Sequence, residues 1–133
     1  MWEKFTQSSK KAIKYATEEA KHYRSDSVDT EHLLLGLLRD EKAFAMKILQ
    51  HLEVPIEKLR HLIVEDIRIG NHDFENLSFS DLSKDVLENA YKEARTLKHS
   101  HIGTEHLLLG LIKVTAGKAS RHLREFGVNY NTA

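Results

Sequence analysis

The sequence predicts an all-α fold: two tandem four-helix repeats packed as a pseudo-twofold bundle, with the last helix of the second repeat mostly missing. Three observations predict it. The octapeptide Thr30-Glu31-His32-Leu33-Leu34-Leu35-Gly36-Leu37 returns unchanged as Thr104-Glu105-His106-Leu107-Leu108-Leu109-Gly110-Leu111. Six Gly and one Pro among 133 residues leave few breaks, the composition of helices joined by short turns. Apolar residues recur at three- and four-residue spacing through most of the chain. Two copies of one helical unit, neither able to cover its own apolar face, bury those faces against each other.

The copies lie 74 residues apart. That offset aligns Phe5 with Phe79, Lys10 with Lys84, Ala16 with Ala90, Glu19 with Glu93, Leu49 with Leu123 and Val54 with Val128, without a gap. The chain therefore reads as a single domain over 1–133, with repeat one at 5–69, a linker at 70–78 and repeat two at 79–133.

In repeat one, Ile13, Ala16, Ala20 and Tyr23 predict an amphipathic helix over about 6–24, with Thr6 as its N-cap. The polar turn Ser25-Asp26-Ser27 leads to Thr30, placed to cap a second helix that begins at Glu31 and carries the dense Leu33 to Leu38 block. Phe44, Ile48, Leu49 and Leu52 support a third helix. Pro55, at a first-turn position, opens a fourth with Ile56, Leu59, Leu62, Ile63 and Ile67 inward. Gly70 to Asn76 lacks periodicity and reads as linker. Repeat two restarts at Phe79-Ser80, with helices over about 80–98, 105–113 and 117–126. Ala133 aligns with Leu59, in the middle of the fourth helix. The shortened copy leaves apolar surface open to dimerisation or domain docking.

Composition narrows the function. Twenty basic residues balance twenty acidic ones, so no net field draws the molecule to nucleic acid or to an anionic membrane. The chain contains no Cys, which rules out disulfides, thiolate metal sites and a cysteine nucleophile, and agrees with a reducing compartment. The N-terminus runs straight into a polar helical segment and no apolar run reaches membrane-spanning length, so a cytoplasmic location is expected. There is no glycine-flanked serine, paired carboxylate motif or phosphate loop, and the chain reads as a binding module rather than an enzyme, with no cofactor.

A Phe-Thr or Phe-Ser helix start followed by Thr-Glu-His-Leu-Leu-Leu-Gly-Leu, present twice, resembles the Clp repeat domain at the N-terminus of ClpC- and ClpA-type unfoldases. The resemblance covers the chain from Phe5 onward. It implies an eight-helix pseudo-symmetric domain that captures protein substrates and adaptor proteins for an ATP-driven unfoldase ring, which passes them to a peptidase. Among ClpC-like members it also implies recognition of phosphorylated arginine. On that likeness Glu31 and Glu105 match the acidic residue that contacts the guanidinium, and Thr6 and Ser80 match hydroxyl positions near the phosphate. Phe5, Phe79 and Lys84 match a groove that takes peptides or small molecules. Gln7-Ser8-Ser9 and Asp81-Leu82-Ser83 replace the family's Arg-Ala pair. Asp40-Glu41-Lys42-Ala43 and Val114-Thr115-Ala116-Gly117 replace its Gly-Glu-Gly turn. These departures mark a divergent member.

Each of these residues also has a plainer reading. A helix start with a hydroxyl makes a phosphate cradle, and a carboxylate beside it binds guanidinium, so Thr6 with Glu31, and Ser80 with Glu105, form two candidate sites. Equally, Thr30 and Thr104 are N-caps, and a first-turn glutamate gains about 0.3 to 1 kcal/mol from the helix dipole alone. Phe5 and Phe79 serve as packing. Of nine His residues, His99, His101 and His106 are the nearest cluster, but their spacing matches no common zinc pattern. His32 and His106 are repeat-equivalent, as structural residues would be. A helix-turn-helix that reads DNA is the rival from another class; its recognition segment would be Leu33 to Leu38, which offers nothing to a base edge. A free-standing regulator that binds a Clp partner is the remaining alternative.

Overall fold

The structure, a computed structural model, describes residues 2–71 and 77–133. A 3-10 turn at Trp2–Lys4 precedes seven helices: α1 (Gln7–His22), α2 (Thr30–Leu37), α3 (Phe44–His51), α4 (Ile56–Glu65), α5 (Asp81–Thr96), α6 (Thr104–Lys113) and α7 (Lys118–Glu125). Among the described residues there are no strands, only two isolated parallel bridges. Residues 72–76 of the expected linker lie outside the described residues. Repeat two ends in a single turn, where Asn129 Oδ1 accepts from the amides of Asn131 and Thr132. Asn129 is the repeat-equivalent of Pro55, the N-cap of α4, so this turn stands where the fourth helix of the copy begins.

The octapeptides form the centre. α1 lies on α2 and α5 on α6, each pair meeting at a glycine where the backbones nearly touch. A Cβ at Gly36 would stand 2.3 Å from the Ala12 carbonyl oxygen, and one at Gly110 would stand 2.5 Å from the Val86 oxygen. Only glycine permits that approach. Ala12, Leu33 and Leu37 then meet their counterparts Val86, Leu107 and Leu111 around a small interior space on the pseudo-axis. The three pairs are repeat-equivalent, as expected of two halves folded face to face.

Hydrogen bonds lace the halves together in matched pairs. The amide of Thr6 donates to the Ile102 carbonyl at 2.9 Å, and that of Ile102 to the Lys4 carbonyl at 2.8 Å. At the equivalent place, the amide of Ser80 donates to Val28 at 3.0 Å and that of Val28 to Ser78 at 2.9 Å. The start of each repeat's first helix is thus clamped to the loop before the other repeat's second helix.

Several expectations need correction here. Thr30 does not cap α2. Asp29 does, and in repeat two Gly103 holds the same position, which frees both threonines to act across the interface. Thr104 Oγ1 accepts from the amide of Ala45, in the first turn of α3, at 3.0 Å. Thr30 Oγ1 accepts from the amide of Ala119, in the first turn of α7, at 3.3 Å. Each half therefore caps a helix of the other, where α3 and α7 have no side-chain cap of their own. Pro55 takes the N-cap position and not the first turn. Phe44, counted in the apolar spacing of the third helix, is 62% exposed.

Replacing the buried Thr104 by Val keeps its shape but leaves the Ala45 amide without an acceptor, a loss of about 1 to 3 kcal/mol. Urea unfolding should show this loss for Thr104→Val and little change for Thr104→Ser. Equal stability of all three proteins would contradict the cross-repeat cap.

Candidate functional site: two related cavities at the repeat interface

The crossed clamps bring together residues that neither repeat could assemble alone. A cavity of about 530 Å³ is lined by Thr6, Ser8 and Phe44 of repeat one and by Lys98, His99, His101, Gly103 and Glu105 of repeat two. A second, of about 280 Å³, is lined by Asp26, Asp29, Glu31 and Arg68 of repeat one and by Lys118 of repeat two. Position by position the two are related by the repeat: Phe44 answers Lys118, Gly103 answers Asp29, and Glu105 answers Glu31. Sequence pairing by repeat is therefore corrected. Thr6 shares a cavity with Glu105, not Glu31, and Ser80 bonds to Asp29, beside Glu31, instead of meeting Glu105. The clamp from Thr6 to Ile102 and from Ser80 to Val28 is the reason.

In the first cavity Thr6 is the N-cap of α1, as expected: Oγ1 accepts from the Ser9 amide at 3.1 Å. The opening amides of a helix have no internal acceptor and carry its positive end, so an anion is favoured there. Glu105 is half-buried, and its Oε1 is shut off from solvent without a hydrogen-bond partner among the described residues. A carboxylate oxygen in that state is costly unless a donor arrives. The arrangement thus offers an anion seat and an unsatisfied acceptor within one cavity.

Glu31, in the second cavity, is only 7% exposed, and its Oε1 likewise has no partner among the described residues. Burial pushes its carboxyl above the usual carboxylate range, with the charge of Asp29 adding to the effect and Lys118 opposing it. Ser80 caps α5, its Oγ accepting from the Ser83 amide at 3.1 Å while donating to Asp29 Oδ1 at 2.9 Å.

The groove residues stand apart from both cavities. Phe5 is 4% exposed and belongs to the core, Phe79 is half-buried against it, and Lys84 is exposed. For Phe5 the packing role is what the structure shows. What sequence reasoning missed is Phe44 and Lys118, together with the contrast between Asp29 and Gly103. The signal was present, because these are columns in which the two aligned copies disagree. A further apolar groove of about 420 Å³, lined by Phe44, Ile48, Leu52 and Glu105, adjoins the first cavity through Phe44 and Glu105. Among the described residues no group of three His, Asp or Glu side chains is placed to hold a metal ion, and no helix is long and apolar enough to cross a membrane.

Residues 4–126 match the Clp repeat (R) N-terminal domain family. The whole chain is 37% identical to part of the chaperone protein ClpB of Oceanobacillus iheyensis, and 38% identical to part of the negative regulator of genetic competence ClpC/MecB of Bacillus subtilis. It spans 16% of the length of each. Among solved structures, the N-terminal domain of ClpD from Arabidopsis thaliana is similar at 33% identity and a TM-score of 0.74, over 97% of this chain and 88% of that one. The N-terminal domain of Hsp104 from Candida albicans shares the fold at 20% identity, with a TM-score of 0.82 over 96% of this chain and 85% of that one. So does a ClpV N-domain solved with a VipB peptide, at 17% identity and a TM-score of 0.71, over 98% and 89% of the two chains.

His32 and His106 brace the loops that carry the two glutamates. His32 Nδ1 accepts from the Asp29 amide at 2.9 Å, and His106 Nδ1 from the Gly103 amide at 2.9 Å. An accepting Nδ1 leaves Nε2 to carry the proton, so His32 donates to Ser25 Oγ and His106 to His99 Nδ1. Burial lowers both pKa values, that of His32 to about 4. An unfolded histidine takes its proton near 6.5. The stability His32 contributes is therefore complete above that pH and is lost as pH falls toward 4. Glu31 works in the opposite sense, so the comparison must be with a variant that keeps it. Between pH 7.5 and 4.5 the stability advantage of the parent over His32→Gln should shrink by on the order of 2 kcal/mol in urea unfolding. A constant advantage would contradict the buried neutral histidine.

Proposed function

The chain belongs to the Clp repeat (R) N-terminal domain family, and on that premise we propose that it is the module through which a Clp-type unfoldase docks protein substrates and adaptors, by recognising phosphorylated arginine. The observation that carries this is the enclosed Oε1 of Glu105, without a partner among the described residues, in one cavity with the start of α1. A phosphorylated guanidinium is a donor and an anion a few ångströms apart. Its remaining N–H groups meet the unsatisfied carboxylate, and its phosphate meets the helix start, the Thr6 hydroxyl and Lys98. Unmodified arginine would satisfy one half of this arrangement, and free phosphate the other.

A side chain in a polypeptide also brings its neighbours. The apolar groove beyond Phe44 gives flanking residues a place to lie, in keeping with a site for chains rather than for a free amino acid. Names and structures of relatives support this use. Several are ATP-binding subunits of Clp protease, and a domain of this fold, the ClpV N-domain, has been solved with a bound peptide. In such an assembly the matched domain does no covalent chemistry. ATP hydrolysis belongs to other parts of the relatives' longer chains.

Calorimetric titration with phosphoarginine should show binding that weakens at least about tenfold in Glu105→Gln, the loss expected when a charge-assisted bond is removed. Arginine alone should bind more weakly than its phosphorylated form. Failure of the parent domain to take up phosphoarginine, alone or within a peptide, would overturn the reading.

A further inference from the structure

The two cavities share a backbone plan and differ in the side chains that matter most for a ligand carrying both charges. We infer that only the cavity of Thr6 and Glu105 is open to such a ligand, and that the chain's own Asp29 and Lys118 occupy the anion and cation places of the other. This rests on the reading of the preceding subsection, whose ligand it assigns to one of two related sites.

Consider the anion place first. Beside the second cavity the hydroxyl at the start of α5, Ser80 Oγ, already donates at 2.9 Å to Oδ1 of Asp29, which lines that cavity. A carboxylate is seated where the phosphate would go, and a phosphate arriving there meets a like charge. At the equivalent position of the first cavity stands Gly103, so no acid is bonded to the Thr6 hydroxyl, which donates to Ser9 Oγ; the carboxylate beside the first turn of α1, Asp40, accepts from Ser8 Oγ at 3.3 Å instead. Asp29 also caps α2, its Oδ1 accepting from the Thr30 amide at 2.8 Å. α6 starts from Gly103 without a side-chain cap and with nearly the same backbone angles, −101° and −178° against −106° and 179° at Asp29, so the turn itself forms without the acid.

The cation place shows the same substitution. Lys118 Nζ lies 4.0 Å from Glu31 Oε2, held there by donating to the Asp66 carbonyl at 3.2 Å. A lysine at the first residue of α7 is unfavourable to that helix's dipole, so a contact elsewhere must retain it. Its counterpart beside Glu105 is Phe44, which has no charge to offer. The second cavity is also about half the size of the first, 280 against 530 Å³. Gly103 is further constrained: a Cβ there would come within 2.1 Å of Glu105 Oε1, so any side chain must push the carboxylate away from its place.

Titration of the domain with phosphoarginine, read by calorimetry and by amide chemical shifts, tests this on the parent protein. One ligand per chain is expected, with shifts at Ser9, Gly103 and Glu105 and not at Asp29 and Ser83. Phe44→Lys should weaken binding at least about tenfold because it installs the internal cation, and Gly103→Asp should weaken it further than Gly103→Ala, which displaces Glu105 without adding an acid. Asp29→Gly combined with Lys118→Phe should raise the stoichiometry to two, with folding of every variant checked by circular dichroism. Two ligands per parent chain, or shifts centred on Asp29 and Ser83, would overturn the inference and leave the function standing. No binding by the parent would overturn both.

Discussion

The halves of this molecule cap one another. Thr104 supplies the hydroxyl that receives the Ala45 amide in the first turn of α3, and Thr30 does the same for the Ala119 amide of α7. Neither α3 nor α7 carries a cap in its own sequence, and a helix of eight residues is marginal without help at its ends. The two backbone clamps, from Thr6 to Ile102 and from Ser80 to Val28, act in the same direction. A single repeat folded in isolation would therefore lose caps, clamps and the apolar cover of α2 or α6 together. Duplication is a condition of stability here, and the interface it creates is where both cavities, with Thr6, Glu31 and Glu105, lie.

That interface explains why the cavities are polar although the core around them is not. α2 and α6 are wrapped by leucine on nearly every side, yet each begins with a glutamate turned toward the seam between repeats. Glu31 and Glu105 stay partly or wholly out of water with one oxygen unsatisfied, an expense in stability that a packed helical bundle has no structural reason to keep. Histidines tie down the turns behind them, which fixes the backbone from which the carboxylates project. Such acceptors are suited to a donor delivered from outside; at Glu31 a lysine already stands 4.0 Å from the other oxygen, Oε2.

Symmetry of backbone and asymmetry of side chain then separate the roles of the copies. The pairs Asp29 and Gly103, and Lys118 and Phe44, occupy equivalent positions and point the two cavities in opposite directions. On the proposed function, the duplication supplies two potential sites, of which the one at Glu105 keeps room for a ligand while the one at Glu31 is lined by the chain's own Asp29 and Lys118. The solvent-exposed Phe44, on the rim of the open cavity, links it to the apolar groove on α3.

Much was legible beforehand. The doubled octapeptide, the 3.6-residue periodicity and the scarcity of glycine and proline determined the helices, their order and their pairing into two related halves, since these depend on local propensity and on pattern. Thr6 was recognisable as a cap because capping is a local event. What the linear order cannot encode is which repeat each end reaches. Thr30 looked like a cap for its own helix and proved to serve the other half; Thr6 met Glu105 and not Glu31; Phe44 fitted the apolar spacing of the third helix and faces solvent. All three were decided by the crossed packing of the halves, held by contacts between residues 50 to 98 positions apart that no spacing rule along the chain can express.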